Sequence, residues 1–457
     1  MKKMPNLFFA ALIILGCSSF AAAQNNALQD INLTVYNQNF GLVRETRLFT
    51  LPKGVSHIKF GNIPREIVPG SIMLQTKVEV KEQSYHRRNM NTHELLKDYF
   101  MNKSVQLIGD SGEMISGILK DINGGEAIIQ RSDGSYLMIP NIRNYKLNLD
   151  KLPDGLSLSP YLDCVVNSSK SQHEDIDLLY QTRGIRWHAV YSAIVDTGYD
   201  HMNLTANADL ENNSGADFRN AQVKLVAGDV HLSGIQPQPR YEAMGQEMKS
   251  AQTVTQKPFA DYHVYDIPGN INLDQNESKQ IELFRANGVG INKKYMYSDG
   301  GHYSVGHEVT GKVSVQISFK NTGNNELGKP MPSGTVNIYK KDGNSLVLIG
   351  RDHINHTPVE NEVTWDIGKA FDLEVQELLK EMNRISNRVS DRTYEITFRN
   401  QKKDAVNIEV NRNIGTNGEI RHASQKYEKV DASTVRFNVS VPPKGSTKLT
   451  FTVRNTY

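Results

Sequence analysis

The residues best able to carry chemistry in this sequence are histidines, of which there are 13. The densest group is Arg351-Asp352-His353-Ile354-Asn355-His356, where imidazoles beside a carboxylate offer a metal ion its usual donors. On a strand, His353 and His356 lie an odd number of positions apart and point to opposite faces. Only a turn would bring them together. The run has no second ligand pair at a recognised spacing, so it is expected to be a polar turn ahead of Thr357-Pro358. His302 and His307, which flank the Gly-rich loop GGHYSVGH, receive the same reading.

Other catalytic signatures are missing. No HExxH, GxSxG or P-loop string occurs, which removes the local marks of zinc peptidases, serine hydrolases and nucleotide-binding loops. Glycosidase carboxylates sit on separate strands and leave no such string, so a hydrolase acting on glycan or peptide stands as the alternative function. Trp187-His188 and Tyr295-Met296-Tyr297 would stack on sugars if exposed, but are expected as core or strand residues. No catalytic, cofactor-binding or metal-ligating residue is assigned, and no cofactor is expected.

Of the two cysteines, Cys17 lies at the chain start in MKKMPNLFFAALIILGCSSFAAAQNN. Lys2 and Lys3, the apolar run Leu7–Gly16 and Ala21-Ala22-Ala23 form the three parts of an export signal over residues 1–23. Cleavage after Ala23 is the expected outcome. Ile14-Leu15-Gly16-Cys17 resembles a lipobox, so lipid attachment at Cys17 is the alternative. Either outcome leaves Cys164 as the single thiol, which excludes a disulfide framework. Between apolar neighbours in SPYLDCVV, Cys164 is expected to be buried and structural.

Charge limits the partners. Lys plus Arg total 52 and Asp plus Glu total 50; the signal removes two Lys and no acid, leaving 50 against 50. A neutral chain has no global field to draw it to nucleic acid or anionic lipid. The expectation is an exported protein of the periplasm or outer membrane whose partner is an envelope protein or a polysaccharide. Contact with the membrane would come only through a lipid anchor.

The elements that would position these residues are strands. Leu204, Ala206, Ala208 and Leu210 alternate with polar residues, as do Val313, Val315, Ile317 and Phe319, and Val435, Phe437, Val439 and Val441. Period-2 alternation buries one face of a strand and wets the other. Separated by Gly, Asn, Asp and Pro clusters, such strands predict antiparallel β-sandwiches. Three strands close on similar strings: ADLENNSG at Ala208–Gly215, ISFKNTGNNELG at Ile317–Gly328 and EITFRNQKKD at Glu395–Asp404. Each ends on Asn, whose side chain can bond nearby backbone. The strings are therefore punctuation of the fold, not a repeated ligand site.

The chain divides into an N-terminal β-unit at 27–90, a small barrel at 91–150, a sandwich at 155–310 and a C-terminal sandwich at 311–457. The barrel segment opens on a helix cap, Asn91-Thr92-His93-Glu94. One short helix and about five short strands then predict an SH3-like or Sm-like barrel. It carries six basic residues against seven acidic ones over Lys97–Asp150, the wrong balance for RNA. Gln236–Pro258 is Gln- and Pro-rich and is expected to be a loop. Over Asp372–Val389 the spacing of Leu378, Leu379, Met382, Ile385 and Val389 is helical, whereas Phe371, Leu373 and Val375 alternate.

Together VYNQNFGLVRE, LLYQTRGIRWHAVYSAIVD, ENNSGADFRNAQVKLVAGDV, YHVYDIPGNINLDQNESKQIELF, LGKPMPSGTVNIYKKDG and HINHTP resemble the bacterial domain of unknown function four-one-three-nine family, which includes mucoidy-inhibitor-A-like proteins. The resemblance implies an all-β, exported protein and a family with no agreed activity. Mucoidy-inhibitor-like members carry a long coiled coil where this chain has its small barrel, so an exopolysaccharide-related role is not carried over. The resemblance also implies an extended Asp372–Val389.

Overall fold

The computed structural model describes residues 27–87, 92–149, 159–228, 255–259, 262–298 and 304–457. The expected signal, Cys17, Asn91, His302 and residues 236–254 of the Gln/Pro-rich stretch lie outside them. Among the described residues the protein is all-β, 70% strand and 3% helix.

Most strands run antiparallel to their neighbours, as the sequence predicts, and three pairs run parallel. Ala27–Tyr36 runs parallel to Phe218–Ala227, Ile185–Val195 to Gly334–Asp342, and Asn292–Ser298 to Val406–Asn413. Alternation cannot reveal this, because a strand buries every second residue whichever way its neighbour runs.

The first sheet has seven strands. Phe40–Leu51 lies between Ala27–Tyr36 and Gln172–Arg183, and Tyr262–Leu273 borders Phe218–Ala227. Its edge strand Thr255–Phe259 takes the last residues of the expected loop; an edge tolerates the missing N–H of Pro258. The segment 27–90 is therefore no separate unit, since its first two strands pair with residues 172–183 and 218–227. A three-stranded sheet of Gly54–Gly61, Tyr161–Ser168 and Glu79–His86 packs against it, with Phe49 and Phe60 edge to face at 5.0 Å. A five-stranded sheet places Ile185–Val195 at its centre, between His201–Asn212 and Gly334–Asp342, with Glu277–Gly290 and Ser345–Ile354 outside them. Leu33, Val43, Phe60, Leu162, Tyr191, Ala208 and Val336 share one apolar core from these three sheets.

A nine-stranded sheet builds the C-terminal part. Phe437 and Phe451 stand near opposite ends of its strand order, yet their rings meet at 5.1 Å. The sheet thus folds over and encloses its own core. The boundary expected at 310/311 falls inside the strand Glu308–Lys320. That strand and Glu362–Ser386 serve both cores: Ile317, Phe319, Val363 and Trp365 lie in the first, Val313, Leu373 and Val375 in the second. Asp372–Val389 is extended through Ser386 and turns into the next strand at Val389. Pairing to 389–400 along Leu373–Ser386, and to 308–320 as far as Leu378, overrides its helical spacing.

Residues 92–149 stand apart. The helix Thr92–Tyr99 precedes a five-stranded antiparallel sheet in the order Tyr145–Asn148, Ser104–Gly109, Met114–Asn123, Glu126–Gln130, Tyr136–Ile139. Leu96, Leu107, Leu119, Ile129 and Ile142 are the fully buried part of its own core.

Candidate functional site

The three Asn strings resolve into one device used three times. Asn212, Asn321 and Asn400 are buried at strand ends. The Asn212 amide donates to the carbonyls of Ala216 and Leu273, and its oxygen accepts from the Ser214 N–H. Asn321 donates to Lys329 and Pro358 and accepts from Gly328. Asn400 donates to Asp404 and to Val441 and Pro442, and accepts from Lys402. Each amide closes its own turn and ties it to a distant segment. Its polar capacity is used by backbone, as fold punctuation requires.

Two further constellations are buried. Arg47 Nη2 lies 2.5 Å from Glu45 Oε2, and Tyr180 Oη donates to Glu45 Oε1 at 2.5 Å. In the second core Arg412 pairs with Glu377, and Tyr297 Oη donates to Glu377 Oε2 at 2.8 Å. The Arg412 guanidinium stacks 4.1 Å from the Tyr394 ring centre. Burial pushes the Tyr180 hydroxyl well above its ordinary range, with the Glu45 charge adding to it. Sealed from solvent, neither triad can meet a substrate. The missed sequence signal is a charge at the apolar parity of a strand: Val43, Glu45, Arg47, Phe49 and Leu51 share one face.

The solvent-facing candidates gather on the outer face of the five-stranded sheet. His188 is the register partner of Asp209, and Arg186 of Glu211. His188 Nε2 lies 3.8 Å from Asp209 Oδ2, with the side chains 35% and 8% exposed. Ser278 Oγ donates to Asp209 Oδ1 at 2.6 Å. Arg186 holds Glu211 Oε2 through Nε at 2.9 Å and Nη2 at 2.7 Å. Among the described residues, one donor atom each from His188, Asp209 and Glu211 falls within 4.8 Å of the others. The pairing arises because antiparallel partners on one face bring their Cβ atoms about 5 Å apart. No local string could show it.

His353 and His356 converge, but on Ser333. His353 Nε2 lies 3.1 Å from Ser333 Oγ, and the Ser333 N–H donates to His356 Nδ1 at 3.2 Å. With the backbone bonds between Met331 and Thr357, these contacts clasp the 355–358 turn to the start of Gly334–Asp342. Ser333 precedes Gly334, the parallel partner of Ala189, which sets it beside His188 one strand over, about 5 Å away.

The remaining sequence candidates are structural. Trp187 is buried, its indole N–H donating to the Val226 carbonyl at 3.0 Å. Tyr297 is buried and Tyr295 packs against the second core. His307 is exposed and its backbone N–H closes a turn on Ser304. Cys164 is a buried free thiol pushed by burial to about 12. A shallow groove lined by Ile72, Leu74, Val80, Lys81, Glu82 and Gln83 lies in the N-terminal part, and none of the candidates above lines it.

Fold and surface together define an all-β protein with sealed polar cores and an open, His-bearing sheet face. The chain belongs to the family described as Domain of unknown function (DUF4139), whose model matches residues 176–457. Among curated proteins the chain has no match. The matched span holds His188, Asp209, Glu211, Ser333, His353 and His356.

Proposed function

We propose that the chain is an exported cell-envelope protein that acts by presenting sheet faces and loops to a partner protein or polysaccharide, without catalysing a reaction. The observation that carries this reading is the placement of its polar groups. The strongest constellations are either sealed in core or laid across an open sheet face, where water is not excluded and reacting groups are not enclosed. Export rests on the Lys, apolar and small-residue layout of residues 1–23. Cleavage after Ala23 gives a free mature chain; lipid attachment at Cys17 would tether it.

A second reading, an envelope hydrolase acting on glycan or peptide, draws on Ser333 and His353, whose 3.1 Å separation is that of a nucleophile and its base. The adjacent Asp352, however, directs its two oxygens to the backbone N–H groups of His353 and Asp366. That geometry suits a structural clasp better than a relay.

Mass spectrometry of the protein recovered from the envelope tests export: a mature start at Gln24, or at an acylated Cys17, supports it, and a retained Met1 overturns it. Turnover of a glycan or peptide that disappears in Ser333→Ala or His353→Ala, with the fold intact, would replace the binding reading by the hydrolase.

A further inference from the structure

We propose that His188, Asp209 and Glu211 form a divalent-cation site on the outer face of the five-stranded sheet, with Zn2+ as the ion its donors suit best. Imidazole nitrogen and carboxylate oxygen are both zinc donors, and three protein ligands with one open position make an open zinc site. Zn–N and Zn–O bonds of about 2.0–2.2 Å set two ligands of a tetrahedral ion about 3.4 Å apart. His188 Nε2 and Asp209 Oδ2 stand at 3.8 Å, too far for a direct hydrogen bond and a few tenths of an ångström from bridging an ion. The three donor atoms lie within 4.8 Å of one another, so small side-chain rotations close the set.

The surroundings are those of ligands already oriented. Ser278 holds one Asp209 oxygen at 2.6 Å and leaves the other toward His188. Arg186 grips Glu211 Oε2 and so orients its carboxylate. Such outer partners fix the direction of metal ligands. Asp209 is 6% exposed, and a carboxylate so far out of water gains more from a cation than a solvated one. Two carboxylates against one guanidinium leave the cluster net negative. The backbone adds rigidity, since donors on adjacent paired strands are held more precisely than donors on loops. Three protein ligands leave a fourth position, which opens to solvent beside the 35% exposed His188.

The test uses the full mature chain, stripped with EDTA and titrated with Zn2+ by calorimetry. We expect one ion per chain, with at least a tenfold loss of affinity in both His188→Ala and Glu211→Gln and no change in His353→Ala or His356→Ala. Circular dichroism of the metal-free variants checks their fold. Should either variant unfold, the wild type decides through diethylpyrocarbonate labelling read by mass spectrometry, where Zn2+ should protect His188 and leave His353 reactive. Absence of Zn2+ uptake, uptake that survives His188→Ala, or protection at His353 in place of His188 overturns the site. None of these outcomes depends on export or on the proposed partner.

Discussion

Tyr180 donates a 2.5 Å hydrogen bond to Glu45 across two neighbouring strands, deep in an apolar core. The same three residue types meet in the other core as Tyr297, Glu377 and Arg412. Glu377 is fully buried, so removing its cation strands a charge away from water. Arg412→Met should destabilise the C-terminal part by about 3–5 kcal/mol. Pairing it with Glu377→Leu should recover much of that loss, because an apolar pair needs no desolvation of charge. Urea denaturation of the two variants checks the difference.

Replacing a buried Asn clamp should cost more than replacing an exposed Asn beside one. Asn321→Ala leaves the carbonyls of Lys329 and Pro358 and the Gly328 N–H without that partner. The expected loss is about 1–3 kcal/mol. Asn213→Ala, one position beyond the buried Asn212 and exposed, should stay within about 0.5 kcal/mol. Thermal midpoints of both variants give the comparison.

Much of this was legible in the residues. Strand positions follow from alternation, and the Asn strings mark strand ends. What escaped was everything set by pairing. Val410 and Arg412 share an inward face, yet only the fold brings Glu377 to meet that arginine. His188 and Asp209 are 21 positions apart, and register alone makes them neighbours. The helical spacing of Leu378, Met382 and Ile385 is a true local signal that loses to the long ladder with 389–400, joined up to Leu378 by a second ladder with 308–320. The pairing of 27–51 with residues 172–183 and 218–227 was not legible either, because strand patterns say nothing of which distant strand completes a sheet.

Acid should weaken the C-terminal part through Glu395. Its hydrogen bonds to Lys448 and then Lys380 hold its carboxyl below the ordinary range. The unfolded chain therefore binds the proton more readily near its free value of about 4.3. The stabilisation is complete above that value and is lost as pH falls through the lower folded one. Glu395→Gln should make the midpoint less sensitive to pH in this window, as scans between about pH 5 and pH 3 would show.

Cys164 should be inert in the native protein. Burial raises its thiol to about 12, so at pH 8 it is protonated and shielded, while reagents require the exposed thiolate. Native protein should not react with a disulfide reagent at that pH, and guanidinium should release reactivity at Cys164. Rapid native labelling at Cys164 would mean that the Tyr161–Ser168 strand opens readily.

The small barrel should fold by itself. The strands of its sheet pair only among themselves, and its core is drawn from residues 96–142, with Leu107, Leu119 and Ile129 fully buried. A domain of about 60 residues buries little surface, so its stability should be modest, a few kcal/mol. Leu107→Ala removes buried methyl groups at a cost of about 2–5 kcal/mol. That is enough to unfold the isolated 91–150 fragment. In the full chain the same substitution should melt the barrel early and leave the larger transition near its original midpoint, since the sheets on either side have their own cores. Calorimetry of the fragment and of the full chain, each with and without Leu107→Ala, measures both effects. If the substitution shifts the whole chain's transition together, the barrel and the sheets fold as one cooperative unit and the independence argued from pairing is lost. With six basic residues against seven acidic ones over Lys97–Asp150, the fragment should also show no salt-dependent affinity for RNA.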